Sequence, residues 1–150
     1  MNRRELIKSL QWFHALEVNQ VALYGVQARM AREEADRRLL ERVGDIEAGH
    51  VRNLSEKLKE LGGRPSLLSA ISPTTGAVLG AITGLSLAAV LRANIIIENK
   101  AMADYKRLID RCSREDVVDL LWSNYLDESL HTEWFKARIA GDVDKVIPGD

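Results

Sequence analysis

Cysteine is almost missing from this chain: Cys112 stands alone, which excludes an internal disulfide and a cage of thiolates around a metal. Proline is scarce at three residues, and much of the glycine falls between Gly62 and Gly84, so two long stretches are free of helix breakers. Charge of one sign is lacking as well. Twenty-one basic residues face 22 acidic ones, a net of −1, which leaves no field for wrapping nucleic acid. Aromatics make up only 5% and nowhere interleave with a basic run. The opening Met1-Asn2-Arg3-Arg4-Glu5 lacks the apolar run of a secretory leader, and a cytoplasmic protein is expected.

At 150 residues and 46% apolar content, the chain reads as a single all-α domain over residues 1–150 with one core. Asn2 followed by Glu5 forms a capping-box pattern and predicts a helix over about 3–32. Its apolar stripe is Leu6, Leu10, Phe13, Glu17, Val21, Tyr24 and Ala28. A second helix, about 35–61, carries Leu39, Val43, Glu47, His50, Leu54, Leu58 and Leu61 inward. Arg38, Arg42, Arg52, Lys57 and Lys59 stand on its solvated face, and Gly62-Gly63 stops it. A third, about 86–112, presents Val90, Asn94, Glu98, Ala101, Met102, Tyr105, Leu108 and Ile109. Ser113 to Asp116 reads as a fresh N-cap for a fourth, about 114–140, with Val117, Leu120, Asn124, Glu128, His131 and Phe135 inward. Residues 141–150 form a loosely held tail.

Between them, residues 62–85 make a long apolar crossover, with no charge from Pro65 to Leu91 and Gly76, Gly80 and Gly84 at four-residue spacing. A membrane span needs about 20 apolar residues. One span here would strand Glu17 and Glu47 across a bilayer from Glu98 and Glu128, and seven serines and threonines lower its hydropathy. A short apolar helix within the crossover is expected instead.

The chain repeats itself. A shift of 81 positions carries Glu17 onto Glu98, Tyr24 onto Tyr105, Glu47 onto Glu128 and His50 onto His131. Glu47-x-x-His50 and Glu128-x-x-His131 each put a carboxylate and an imidazole one turn apart on one helical face. Two such hairpins predict a four-helix bundle whose four glutamates and two histidines converge at mid-height. Four carboxylates neutralise two divalent ions, and burying them without cations costs several kcal/mol per charge, on the order given by buried-ion energetics. Oxygen and nitrogen ligands suit two iron ions, with manganese as the alternative. Symmetry assigns Glu17 and His50 to one ion and Glu98 and His131 to the other, with Glu47 and Glu128 bridging. Tyr24 and Tyr105 are placed to hydrogen-bond ligands across the bundle, and Asp127 to orient the histidine of the opposite pair. His14, one turn before Glu17, reads as an interface or solvent residue. Trp12, Trp122 and Trp134 read as core or pocket walls.

This constellation resembles the ferritin-like di-iron carboxylate superfamily. Within it, Tyr24-Gly25-Val26-Gln27 after Glu17, Arg64-Pro65 after helix two, the uncharged Gly76–Gly84 segment, and Glu98 with Tyr105 are most similar to the demethoxyubiquinone hydroxylases. The resemblance implies a di-iron oxidoreductase that uses dioxygen to hydroxylate a lipophilic quinone-like substrate, and peripheral membrane contact through residues 71–91. A homo-oligomer is compatible with it. Rubrerythrin-like peroxidases share the core but carry a further carboxylate where Ala101 stands. Bacterioferritin-like ferroxidases share the six ligands but assemble with a fifth helix that the short tail is not expected to supply. A metal-binding bundle without turnover is the non-enzymatic alternative.

Overall fold

In the computed structural model, residues 1–65 and 85–141 are described, and every regular element among them is an α-helix. The helices are α1 (Arg3–Met30), α2 (Glu34–Glu60), α3 (Leu87–Ile109) and α4 (Glu115–Ala140). The bulk of the crossover, its glycine stripe and the tail beyond Gly141 lie outside the described residues.

The sequence signals at the helix ends act as local chemistry requires. Asn2 Oδ1 accepts from the Glu5 amide at 2.9 Å, and Glu5 Oε2 accepts from the Asn2 amide at 3.0 Å. This closes the capping box and satisfies two amides that the first turn leaves orphaned. Ser86 caps α3 by accepting from the Ala89 amide. The start of α4 differs from expectation. Its cap is Arg114, whose guanidinium has no acceptor to offer the first-turn amides and instead donates to Asp116 at 2.8 and 3.0 Å.

Gly62 ends α2 in the left-handed region at φ 67°, with its amide on Lys59 O and the Gly63 amide on Leu58 O. A Cβ at Gly62 meets the Arg3 guanidinium at 2.4 Å, and that guanidinium donates to Leu61 O at 2.6 and 2.9 Å. Gly62→Ala is therefore expected to combine left-handed strain with loss of the Arg3 clamp. A destabilisation of about 1–2 kcal/mol in urea unfolding is the expected result.

α1 and α2 form one antiparallel hairpin, and α3 and α4 the other. Lys57 bonds Asp116 at one end of the bundle, and Arg138 bonds Glu33 and Asp36 at 2.7 and 2.5 Å at the other. Lys57, expected in solvent, is thus a clamp between hairpins, only 16% exposed at its side chain. The described chain leaves α2 at the Arg3 end and re-enters beside Met30 and Glu33. α2 and α3 therefore run in the same direction.

Two apolar clusters occupy the two ends of the core. Leu6, Leu10, Phe13, Leu54, Leu58, Leu108, Val117 and Leu121 fill the Arg3 end, and Tyr24, Leu39, Leu40, Val43, Leu91 and Phe135 fill the other. A fully buried leucine such as Leu10 or Leu54 contributes about 2 kcal/mol, so these layers hold the helices in register. Between them lies a polar layer. The inner stripes agree with the sequence pattern except at Val21, Met102 and Leu120, which are half-buried. Gln20, Leu23 and Gln27 take the inward positions around Val21. Trp12 and Trp122 are not core either: both are exposed, Trp12 as a wall of a surface cleft beside Phe13 and Leu108, while Trp134 packs half-buried on the second cluster.

Candidate metal centre

Glu17, Glu47, Glu98, Glu128, His50 and His131 all lie in the polar layer, each at most 2% exposed. Helical spacing explains the placement. Glu47 and His50, like Glu128 and His131, are three residues apart, so both side chains of each pair project from one face at one height. Two four-residue groups result: Glu17, Glu47, His50 and Glu128 in one, and Glu47, Glu98, Glu128 and His131 in the other. Within each, one ligand atom per residue lies within 4.8 Å of the rest. Glu47 and Glu128 belong to both groups.

The imidazoles present Nδ1 to the carboxylates. His50 Nδ1 is 3.0 Å from Glu47, 3.8 Å from Glu17 and 3.7 Å from Glu128. His131 Nδ1 is 3.3 Å from both Glu47 and Glu128. Around this centre the tyrosines cross the bundle, Tyr24 donating to Glu98 and Tyr105 to Glu17. Asn124 Nδ2 donates to the Tyr105 hydroxyl at 3.0 Å. Asp127 accepts at 3.0 Å on the Nε2 side of His50, the histidine of the opposite pair.

Electrostatics show what the cluster lacks. Burial, then the charge of Glu47, lifts the Glu17 carboxyl to about 8. Burial and the charges of Glu47, Glu98 and Glu17 push Glu128 well above the usual range, and burial raises Glu98. Burial also works against Glu47, but the imidazoles of His131 and His50 close beside it outweigh that and hold Glu47 down to about 2. Burial disfavours the charged His50, yet Asp127, Glu17 and Glu47 raise it to about 11. Among the described residues, Glu17 Oε2, both oxygens of Glu128 and both ring nitrogens of His131 have no hydrogen-bond partner despite full burial. Native interiors rarely leave such atoms orphaned. Lone pairs of carboxylate and imidazole converging on a dry centre are a donor set for divalent cations.

A sequence profile of the family described as "Ubiquinone biosynthesis protein COQ7" matches residues 4–89. The chain belongs to this family. The 3-demethoxyubiquinol 3-hydroxylase of Paracidovorax citrulli is 30% identical over 149 aligned positions, covering 97% of this chain and 72% of that protein. The same enzyme of Ralstonia pickettii is 28% identical over 152 positions, 98% and 68%. That of Bordetella parapertussis is 39% identical over 80 positions, 53% of this chain but 36% of that protein. The chain therefore spans from about a third to nearly three quarters of these curated relatives.

The family profile ends before Glu98, Glu128 and His131, so for the COQ7-type second hairpin the internal repeat and the two long alignments carry the comparison. Four polar residues of this COQ7-family core had no role assigned from sequence. Gln20 Nε2 donates to Glu47 at 3.1 Å and Glu98 at 3.2 Å. Gln27 and Asn94 pair amide to amide at 2.7 and 2.9 Å. Asn124 backs Tyr105. The signal was the inner stripe: Gln20 lies one turn after Glu17, Gln27 one turn after Tyr24, and Asn94 and Asn124 one turn before Glu98 and Glu128. His14 is buried, with burial lowering its basicity, and belongs to neither four-residue group.

Proposed function

We propose that this chain is a di-iron oxidoreductase, folded as one domain, that uses dioxygen to hydroxylate a quinol ring bearing a lipophilic tail. The observation that carries the reading is the pair of overlapping buried four-residue groups, each with a histidine and three carboxylates. In this reading Glu17 and His50 hold one ion, Glu98 and His131 the other, and Glu47 and Glu128 both; manganese fits the same donors. Bound iron supplies the reduction and activation of dioxygen. The protein supplies the rest. Tyr24 and Tyr105 fix the Glu98 and Glu17 carboxylates, Asp127 orients His50, and the two apolar clusters exclude bulk water.

That the relatives are 3-demethoxyubiquinol 3-hydroxylases supports 3-demethoxyubiquinol as the substrate. A cleft of about 550 Å³ beside the Met30 end supports an approach route. Leu40, Leu85, Leu87 and Val90 give it apolar walls, and Gln27 at its edge pairs with Asn94, one turn from Glu98. Among the described residues no helix is long and apolar enough to cross a membrane. The reading includes peripheral contact through residues 71–91, of which Leu85, Ser86, Leu87 and Val90 line this cleft. The test is turnover of the iron-loaded full chain with a chemical reductant, a short-tailed demethoxyquinol and ¹⁸O-dioxygen. One ¹⁸O atom in the hydroxylated product is expected; an iron-replete protein yielding no product overturns the hydroxylase reading.

A further inference from the structure

Among the side chains that bond a candidate ligand or its tyrosine, the repeat is broken at Asp127, Asn124 and Gln20, and all three breaks disfavour the same half. Under the 81-residue shift Asp127 corresponds to Ile46, Asn124 to Val43, and Gln20 to Ala101. His50 consequently has a carboxylate on Nε2 at 3.0 Å. His131, fully buried, has neither ring nitrogen in a hydrogen bond among the described residues. Tyr105 is held by Asn124 while it holds Glu17. Tyr24 has only the apolar Val43 at the corresponding position. The Gln20 amide, which has no counterpart, occupies oxygens of Glu47 and Glu98 on the His131 side.

Resting on the dimetal reading above, we infer that the two metal positions are unequal. The one built on Glu17 and His50 fills first and holds its ion more tightly than the one built on Glu98 and His131. The cause is positional. A carboxylate on the distal ring nitrogen fixes the tautomer and orientation of the ligating imidazole and raises its basicity, an effect of about 10–100-fold in metal affinity. An imidazole that ligates through Nδ1 with a buried, unpartnered Nε2 leaves an N–H unsatisfied, which disfavours the loaded state. Gln20 works in the same direction, since its donated hydrogens must yield two oxygens before an ion can take them. Asp127 is thus a positioning residue that sets the order of loading.

The test is anaerobic titration of the metal-free full chain with Co(II), read by its visible absorption, and with one equivalent of Mn(II), read by electron paramagnetic resonance. Two one-equivalent phases separated by at least about tenfold are expected, with a magnetically isolated ion after the first. Asp127→Ala is expected to weaken the first phase about 10–100-fold and erase the separation. Ile46→Asp, at a half-buried position, is expected to strengthen only the second phase, and it carries the test should the alanine variant not fold. Two ions bound in one phase, or Ile46→Asp leaving the second phase unmoved, would overturn the inequality and leave the dimetal centre standing. No ion bound at all overturns the dimetal reading itself.

Discussion

Glu128→Gln is expected to strip the chain of both tightly held metal ions and, at alkaline pH, to stabilise the metal-free fold. Glu128 is common to both four-residue groups, whereas Glu17 and Glu98 each belong to one. Removing a shared carboxylate takes a ligand from both positions, and a loss of at least about 100-fold in affinity for each ion is expected, beyond what outer partners alone contribute. Glu17→Gln and Glu98→Gln are each expected to retain one ion after dialysis. The gain in stability has a separate cause. Neither carboxylate oxygen of Glu128 has a hydrogen-bond partner among the described residues, and burial with the charges of Glu47, Glu98 and Glu17 makes its ionised form unfavourable. Glutamine keeps the shape without the charge. Replacing an uncompensated buried charge is worth about 1–4 kcal/mol, and because burial raises the Glu128 carboxyl the gain is expected to be larger at pH 8 than at pH 5. Metal analysis and urea unfolding at the two pH values check both halves. A variant that keeps two ions would remove Glu128 from the centre.

That a single residue has opposite effects on metal binding and on the empty fold bears on what could be read from sequence. The six candidate ligands were legible because helical spacing and the 81-residue register are one-dimensional properties. Glu17 in mid-stripe is anomalous without any knowledge of the fold, and Glu98 repeats the anomaly. The crossed tyrosine contacts followed from the same symmetry. The departures from symmetry were harder to read. Asp127 was placed by analogy, but its contact with His50 depends on how closely α2 and α4 approach, and nothing in either helix encodes that locally. Gln20 lies one turn after Glu17, but it carries no charge to make it anomalous, and only the two carboxylates it touches reveal its role. Trp122 misleads for the opposite reason. Its apolar ring fits a core, while Lys106 stands 5.9 Å over its face at the surface.

Metal is expected to reverse the pH dependence of stability. In the metal-free chain Glu17 titrates at about 8 against an ordinary value of 4.5, with Glu98 and Glu128 displaced in the same direction. Between those limits the folded chain keeps protons that the unfolded chain has released, so stability is lost as pH rises from about 4.5 to 8. His50 acts in the same sense over a higher window. Raised to about 11, it contributes stability that is complete below 6.5 and is lost as pH climbs toward 11. Glu47, held down to about 2, contributes above 4.5 and loses that contribution only in strong acid, outside this range. The metal-free midpoint of thermal unfolding is therefore expected to fall between pH 5.5 and 8. Divalent ions bind the deprotonated ligands and release those protons, so apparent affinity climbs over the same interval. At free metal about 1,000-fold above the dissociation constant, binding adds about 4 kcal/mol, or about 10 °C for a chain of this size. The two curves should nearly meet at pH 5.5 and stand about 10 °C apart at pH 8, measured by anaerobic scans with and without Fe(II). Parallel curves would mean that the ions displace no protons from Glu17 and Glu128, and hence that those carboxylates are not their ligands.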